Sequence, residues 1–96
     1  MTKYEIMFIV NPNLETQEIK GIAEDMKKTL EDNQASIKEE KEMGQKELAY
    51  TINKHNTGYY FLYLIESENS NAINEFNRLA LINENILRHL IIKVED

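Results

Sequence analysis

The side chains that most often do chemistry are sparse in this chain and fall in no catalytic arrangement. There are two histidines and no cysteines, which excludes disulfides, thiolate metal sites and a cysteine nucleophile. His55 and His89 lie far apart in the sequence, and neither has a second ligand at the spacing of a metal site. Glu39, Glu40 and Glu42 form a run that is typical of a solvated edge strand rather than of paired catalytic acids. The sequence therefore predicts no metal, no cofactor and no small-molecule substrate.

The glycines and serines give no sign of an active site either. Gly21, Gly44 and Gly58 are too far apart to form a phosphate-binding loop, and no serine has the flanking residues of a nucleophile elbow. A small phosphatase of the acylphosphatase type would want a basic phosphate loop after the first strand, where Asn11-Pro12-Asn13 stands instead. We therefore predict that the protein is not an enzyme.

The feature that stands out is a stretch rich in tyrosine and poor in charge. Four tyrosines fall between positions 50 and 63, and Lys54 is the only Lys, Arg, Asp or Glu between positions 48 and 65, in a chain of which 29% is charged. Aromatic side chains on an open sheet face can stack on RNA bases. Gly58–Leu62 partly matches the RNA-recognition-motif pattern, but Thr57 and Tyr60 depart from it. This stretch is therefore the predicted contact surface.

Length and composition set the class of protein. A chain of 96 residues predicts one domain, residues 1–96. No apolar run approaches the roughly 20 residues needed to span a bilayer, and the N-terminus lacks a signal-peptide layout, so we expect a cytoplasmic protein with no membrane contact. The net charge of −6 argues against a general nucleic-acid binder, although ten of the acids lie between Glu15 and Glu47.

Hydrophobic periodicity predicts six elements in the order β-α-β-β-α-β. The strands are expected at Lys3–Val10, at Ala35–Met43 with a continuation over Leu48–Ile52 after a bulge or bend at Gly44, at Tyr59–Ile65 and at Ile86–Val94. The helices are expected to start at the N-caps Thr16 and Ser70 and to end near Asn33 and Ile82. Asn53–Gly58 is expected to form a polar turn, and Gly21 predicts close packing in the first helix. The order of elements predicts an α+β, ferredoxin-like fold: a four-stranded antiparallel sheet with two helices on one face.

The third strand is apolar on both faces. One face carries Tyr59, Phe61, Tyr63 and Ile65, and the other carries Tyr60, Leu62 and Leu64. One of these faces must meet the helices. We expect the second face to be covered by a partner.

The chain resembles the bacterial family of small-subunit ribosomal protein six over essentially the whole length of the chain, and three segments carry this resemblance. They are Tyr4-Glu5 with Asn11-Pro12, Gly44-Gln45-Lys46-Glu47-Leu48-Ala49-Tyr50-Thr51-Ile52 followed by Gly58-Tyr59, and Asn85-Ile86-Leu87-Arg88-His89. The middle segment is the specific one, because it resembles the family's signature of glycine, basic residue, leucine-alanine-tyrosine and isoleucine. The resemblance implies a ferredoxin-like fold and a structural role in the small ribosomal subunit. There the protein would bind the central domain of small-subunit ribosomal RNA as a heterodimer with small-subunit ribosomal protein eighteen.

The resemblance also implies which residues make these contacts. The expected RNA contacts are Lys46, Lys54 and Arg88, which match positions that are often basic in the family, and Lys3. The expected partner contacts are Tyr50, Tyr60 and Leu62. Two residues depart from the family pattern. Met43 stands where tryptophan or another hydrophobic residue is common. Glu47 stands where a second basic residue is common, which favours a partner that supplies positive charge. The alternative is a small-molecule-binding or regulatory module, since this fold hosts many unrelated functions.

Overall fold

The structure is a computed structural model that describes residues 2–52 and 54–94, apart from the side chain of residue 49. Its elements are β1 (Thr2–Val10), α1 (Thr16–Asp32), β2 (Ser36–Ile52), β3 (His55–Ser67), α2 (Asn71–Ile82) and β4 (Ile86–Val94). The four strands form one sheet in the order β2-β3-β1-β4, and every neighbouring pair is antiparallel. The predicted ferredoxin-like α+β fold is confirmed. Neither helix among the described residues has the length and apolar content needed to cross a bilayer.

Both helices pack on one face of the sheet, and strand alternation decides which side chains they bury. The buried strand residues on this face are Ile6, Phe8 and Val10 of β1 and Phe61, Tyr63 and Ile65 of β3. Met26 and Leu30 of α1 and Phe76 of α2 complete the contact from the helix side. The ring of Phe8 lies at the centre of this core, with its centroid 5.1 Å from that of Phe61 and 5.7 Å from that of Phe76.

Two of the four tyrosines of the tyrosine-rich stretch belong to this helix-covered face. The hydroxyl of Tyr63 donates to the carbonyl oxygen of Ala23 on α1 at 3.2 Å, and the hydroxyl of Tyr59 donates to Oε1 of Glu42 at 2.6 Å. Burial raises the pKa of Tyr63, whereas the hydrogen bond to Glu42 is the main cause that raises the pKa of Tyr59. Core packing and β2 therefore account for these two rings, and the other two tyrosines remain for the candidate site.

The β2–β3 hairpin is longer than the sequence predicts. β2 ends at Ile52, as predicted, but β3 begins at His55 and not at Tyr59. The polar turn predicted over Asn53–Gly58, whose first residue lies outside the described part, is therefore too long. The polar side chains here bond across the two strands instead, as Thr51 Oγ1 does to Asn56 Oδ1 at 2.9 Å. A strand that buries neither face can be built from polar residues. Such a strand has the same composition as a turn, so composition alone does not distinguish the two.

The predicted bulge at Gly44 is confirmed. The pairing of β2 with β3 shifts between Glu42 and Gly44, and Gly44 has a φ of +82°, a conformation that glycine adopts without the steric cost of a Cβ. The strand does not stop at Met43, because a bulge bends a strand without ending it.

Two expectations about the helices are wrong. Glu15, not Thr16, is the N-cap of α1, because the carbonyl oxygen of Glu15 already accepts from the N–H of Ile19 at 3.0 Å. Nor is Gly21 closely packed, since nothing lies within 4 Å of the position that a Cβ would occupy there. The N-cap of α2 is Ser70, as predicted, although its side chain makes no capping hydrogen bond.

Candidate nucleic-acid and partner interface

The candidate site lies on the sheet face opposite the helices, which we call the open face. Its rows follow from strand pairing: Glu5 lies beside Leu64 and Ile92, Met7 beside Leu62 and Leu90, and Ile9 beside Tyr60 and Arg88. The middle of the open face is therefore apolar across three strands. Leu90 and Ile92 are 49% and 47% exposed, and a contiguous apolar surface of this kind is typical of a protein-binding site.

Charge is distributed unevenly along the open face. The end at which β1 begins carries the carboxylates Glu5, Glu39 and Glu66, and Lys3 is paired in register with Glu66. At the other end, Arg88 lies beside Ile9 and Lys46 lies opposite Gly58. One end of the open face is therefore rich in carboxylates, and the other presents cations.

The hairpin extends beyond the sheet at this second end as an arm, residues 45–52 and 54–57. Between the pairs Glu47–Thr57 and Ile52–His55, four residues of β2 face a single residue of β3. So wide a bulge bends the strand and increases its twist. The bend carries the side chains of Leu48 and Tyr50 over the open face.

Gly58 lets the arm approach the sheet closely. A Cβ at this position would lie 2.2 Å from Cγ2 of Ile9 and 3.4 Å from Cδ2 of Leu48. Ile9 is only 4% exposed although it lies on the open face. The missing side chain at Gly58 thus gives Ile9 the space in which the arm covers it.

Tyr50 spans the gap between the arm and β4. Its ring centroid lies 5.1 Å from Cζ of Arg88, within the range of a cation–π interaction. Tyr50 is 56% exposed, and Arg88 is also exposed. The arm and the far edge strand are therefore joined by a stack of an aromatic ring and a guanidinium.

The cations at this end differ from several of those elsewhere in their partners. Four others form ion pairs: Lys27 with Glu40 at 3.1 Å, Lys38 with Glu66 at 3.7 Å, Lys41 with Glu39 at 3.7 Å, and Arg78 with Glu75. Within the described part of the chain, Lys46, Lys54 and Arg88 make no ion pair. Their charges remain available for an external anion.

The structure brings together some of the predicted RNA contacts and not others. Lys46 and Arg88 share one end of the open face. Lys54 lies at the tip of the arm, and its φ of +70° suits a tight hairpin turn. At the rise of an extended strand, Lys54 is about 13 Å along β3 from Gly58. Lys3 lies at the carboxylate-rich end, six residues and about 20 Å along β1 from Ile9.

Two features of the site go beyond the sequence-based expectations. Leu90 and Ile92 extend the apolar surface onto β4, and the run of apolar residues at positions 90–92 is a signal for this, as it is for β3. The contact between Tyr50 and Arg88 has no comparable signal. It depends on the number of extra residues in the arm, which no local pattern gives.

His89 belongs to the other face of the sheet. Its Nε2 lies 2.7 Å from Oδ1 of Asn77 on α2, and its ring packs edge-on against Phe76. Burial lowers the pKa of His89. Among the described residues, no group of three or more His, Cys, Asp or Glu side chains could hold a metal ion.

The concavity between α1 and β2 has the wrong chemistry for most small ligands. Five of its lining side chains are charged: Lys20, Glu24, Glu40, Lys41 and Glu42. Small-molecule sites are mostly apolar with a few convergent polar groups. The alternative of a small-molecule-binding module therefore gains no support from this concavity.

Comparison with known proteins gives consistent results. A family model described as ribosomal protein S6 matches residues 3–93. Two relatives are named small ribosomal subunit protein bS6: the one from Shouchella clausii is 50% identical over 95 residues, 99% of each chain. The one from Phytoplasma australiense is 43% identical over 93 residues, which are 97% of this chain and 99% of the relative. The crystal structure of 30S ribosomal protein S6 from Thermotoga maritima superposes with a TM-score of 0.93 at 28% identity, over 97% of this chain and 87% of that one.

Proposed function

The chain belongs to the ribosomal protein S6 family, and we propose that it binds the central domain of small-subunit ribosomal RNA as a heterodimer with small-subunit ribosomal protein eighteen. The family consists of structural, non-enzymatic proteins of the small ribosomal subunit. The expectation that the protein is not an enzyme and works in the ribosome, in the cytoplasm, is thereby confirmed.

One observation carries the RNA assignment: three cations at one end of the open face and on the arm, Lys46, Lys54 and Arg88, make no ion pair within the described residues. Lysine and arginine contacts to phosphate supply much of the affinity of such complexes. A cation already bound to a carboxylate must give up that partner first. Lys46, Lys54 and Arg88 combine an unpaired charge with a place on the open face or the arm, and they are therefore the RNA contacts of this proposal.

Lys3 lies away from the other proposed RNA contacts. It is separated from Arg88 by about 20 Å along the sheet and lies among carboxylates. If Lys3 contacts RNA, it reaches a separate segment of the backbone. We therefore expect its removal to weaken binding less than removal of Arg88.

The partner is proposed to cover the apolar middle of the open face. Tyr60 and Leu62 lie in neighbouring rows there, and Leu90 and Ile92 continue the same surface to the edge of the sheet. Tyr50 borders this surface from the arm. Burial of exposed apolar area would stabilise the heterodimer, and the partner would supply further positive charge.

A salt titration of RNA binding tests the RNA assignment. The heterodimer is titrated with a transcript of the central domain, and log affinity is plotted against log salt concentration. The double variant Lys54→Ala/Arg88→Ala should reduce the magnitude of the slope of this plot by about 1.4 to 1.8. Each phosphate that the protein no longer neutralises reduces it by about 0.7 to 0.9. Lys20→Ala/Lys28→Ala removes the same charge from exposed positions on α1 and should leave the slope unchanged. Equal effects from the two double variants would refute the assignment.

A co-purification experiment tests the partner surface. Leu62→Asp puts a charge into the proposed contact and should abolish recovery of ribosomal protein eighteen. Leu81→Asp is the matched control, because Leu81 is a 70% exposed leucine on α2, on the other side of the sheet. Circular dichroism must first show that both variants are folded. Undiminished recovery with folded Leu62→Asp would mean that the partner binds elsewhere.

A further inference from the structure

We propose that Tyr50 is a positioning residue for Arg88: its ring holds the guanidinium at the cationic end of the open face, where an RNA phosphate would meet it. This inference rests on the proposed function, since it concerns how one proposed RNA contact is held in place. It also gives Tyr50 a role that is separate from docking the protein partner.

The geometry of the stack suits this role. Cζ of Arg88 lies 5.1 Å from the ring centroid of Tyr50. An exposed arginine loses much rotational freedom when it binds a ligand, and a residue that fixes the side chain beforehand lowers that cost. The ring contacts the guanidinium without accepting its N–H groups through an oxygen or nitrogen atom, so Arg88 can still donate hydrogen bonds to a phosphate.

The fold brings the ring to Arg88 through a sequence of contacts. Gly58 leaves space for Ile9, and Leu48 of the arm closes over the same place. Ile9 is paired in register with Arg88 on β4. An arm that folds over Ile9 therefore brings its next outward ring, Tyr50, beside Arg88.

Two substitutions distinguish the effect of the aromatic ring of Tyr50 from the effect of its apolar volume. Tyr50→Phe keeps the ring and removes the hydroxyl, whereas Tyr50→Leu keeps an apolar side chain for the partner and removes the ring. In the heterodimer, Tyr50→Leu should bind a central-domain transcript roughly two- to five-fold more weakly, and Tyr50→Phe should bind as wild type. Each variant is saturated with the partner protein before RNA is added, so that the comparison reports the RNA contact alone.

Arg88→Ala provides the reference for this comparison. It should weaken binding at least about ten-fold, as expected when a hydrogen-bonded charge is removed. Because Tyr50 acts through Arg88, the double variant Tyr50→Leu/Arg88→Ala should be no weaker than Arg88→Ala alone. In the free protein, the ring current of Tyr50 should shift the NMR signals of the Arg88 side chain upfield. Tyr50→Leu should abolish that shift, and Tyr50→Phe should keep it.

Each contrary result has a distinct meaning. Wild-type affinity for Tyr50→Leu beside a weak Arg88→Ala overturns the positioning role and leaves the RNA function standing. Additive losses in the double variant mean that Tyr50 contacts RNA itself, which also overturns the inference. If Arg88→Ala has no effect, Arg88 is not an RNA contact, and the inference fails with that assignment. Absence of the upfield shift in the wild-type protein shows that no stack forms in solution, and the inference is then wrong.

Discussion

Replacement of Gly58 by alanine should destabilise the protein, because the new methyl group would occupy the space of Ile9. The Cβ would lie 2.2 Å from Cγ2 of Ile9, whereas carbon atoms in contact are about 3.5 to 4.0 Å apart. Ile9 must therefore move by more than about 1 Å, although its side chain is 4% exposed and β-branched, which restricts its rotamers. Overpacking of this kind costs about 1–3 kcal/mol.

Gly21→Ala is the matched control for this prediction. It is the same substitution inside α1, where nothing lies within 4 Å of the new Cβ, and it should stabilise the protein by about 0.5–1 kcal/mol. Urea denaturation followed by circular dichroism should show a lower midpoint for Gly58→Ala and a higher one for Gly21→Ala. A Gly58→Ala midpoint equal to or above that of wild type would refute the argument from the clash.

Three further predictions concern the backbone and two rings on the helix-covered face of the sheet. Gly44→Ala should cost about 1–2 kcal/mol, because a φ of +82° disfavours any Cβ even where space is open; Gly44→Asn should cost less in the same urea assay. Tyr63→Phe removes the hydrogen bond to Ala23 at 3.2 Å and should lower the free energy of unfolding by about 0.5–1.5 kcal/mol. Because burial raises the pKa of Tyr63 above 10.0, the unfolded state loses that proton first. Stability should therefore fall as pH rises above about 10, and less steeply in the phenylalanine variant. Because burial lowers the pKa of His89 below 6.5, the unfolded state gains a proton first as pH falls. Stability should therefore decline below about pH 6.5, and urea midpoints for His89→Gln should lack that decline.

The sheet can be predicted from the sequence because its strands have something to bury. β1 and β3 each carry apolar residues at every second position toward the helices, and β3 is also apolar on its other face. Residues 54–58 have the sequence of a turn because none of them carries an apolar side chain, so alternation gives no signal for the start of β3. Hydrophobic patterning reports burial, and it says nothing of strands held only by hydrogen bonds.

The candidate site is predictable in its residues but not in its arrangement. Arg88 and Tyr50 are each expected from the sequence to make contacts, one with RNA and the other with a protein partner, and they lie far apart along the chain. Their contact with each other requires both the wide bulge in β2 and the glycine at position 58. Which distant residue a bulge brings into contact depends on the geometry of the whole sheet, and a single sequence does not give that geometry.

The acidic composition of the chain does not oppose RNA binding, because the distance between charges decides their effect. Ionic screening at physiological salt has a length of about 8 Å, and Glu5 lies four residues, about 13 Å, along β1 from Ile9 at the cationic end. The carboxylates of α1 lie behind the sheet, and packed layers are about 10 Å apart. The arm itself has two lysines and one carboxylate. A phosphate at Arg88 therefore responds mainly to these local charges, and the net charge of −6 is a poor guide to its affinity.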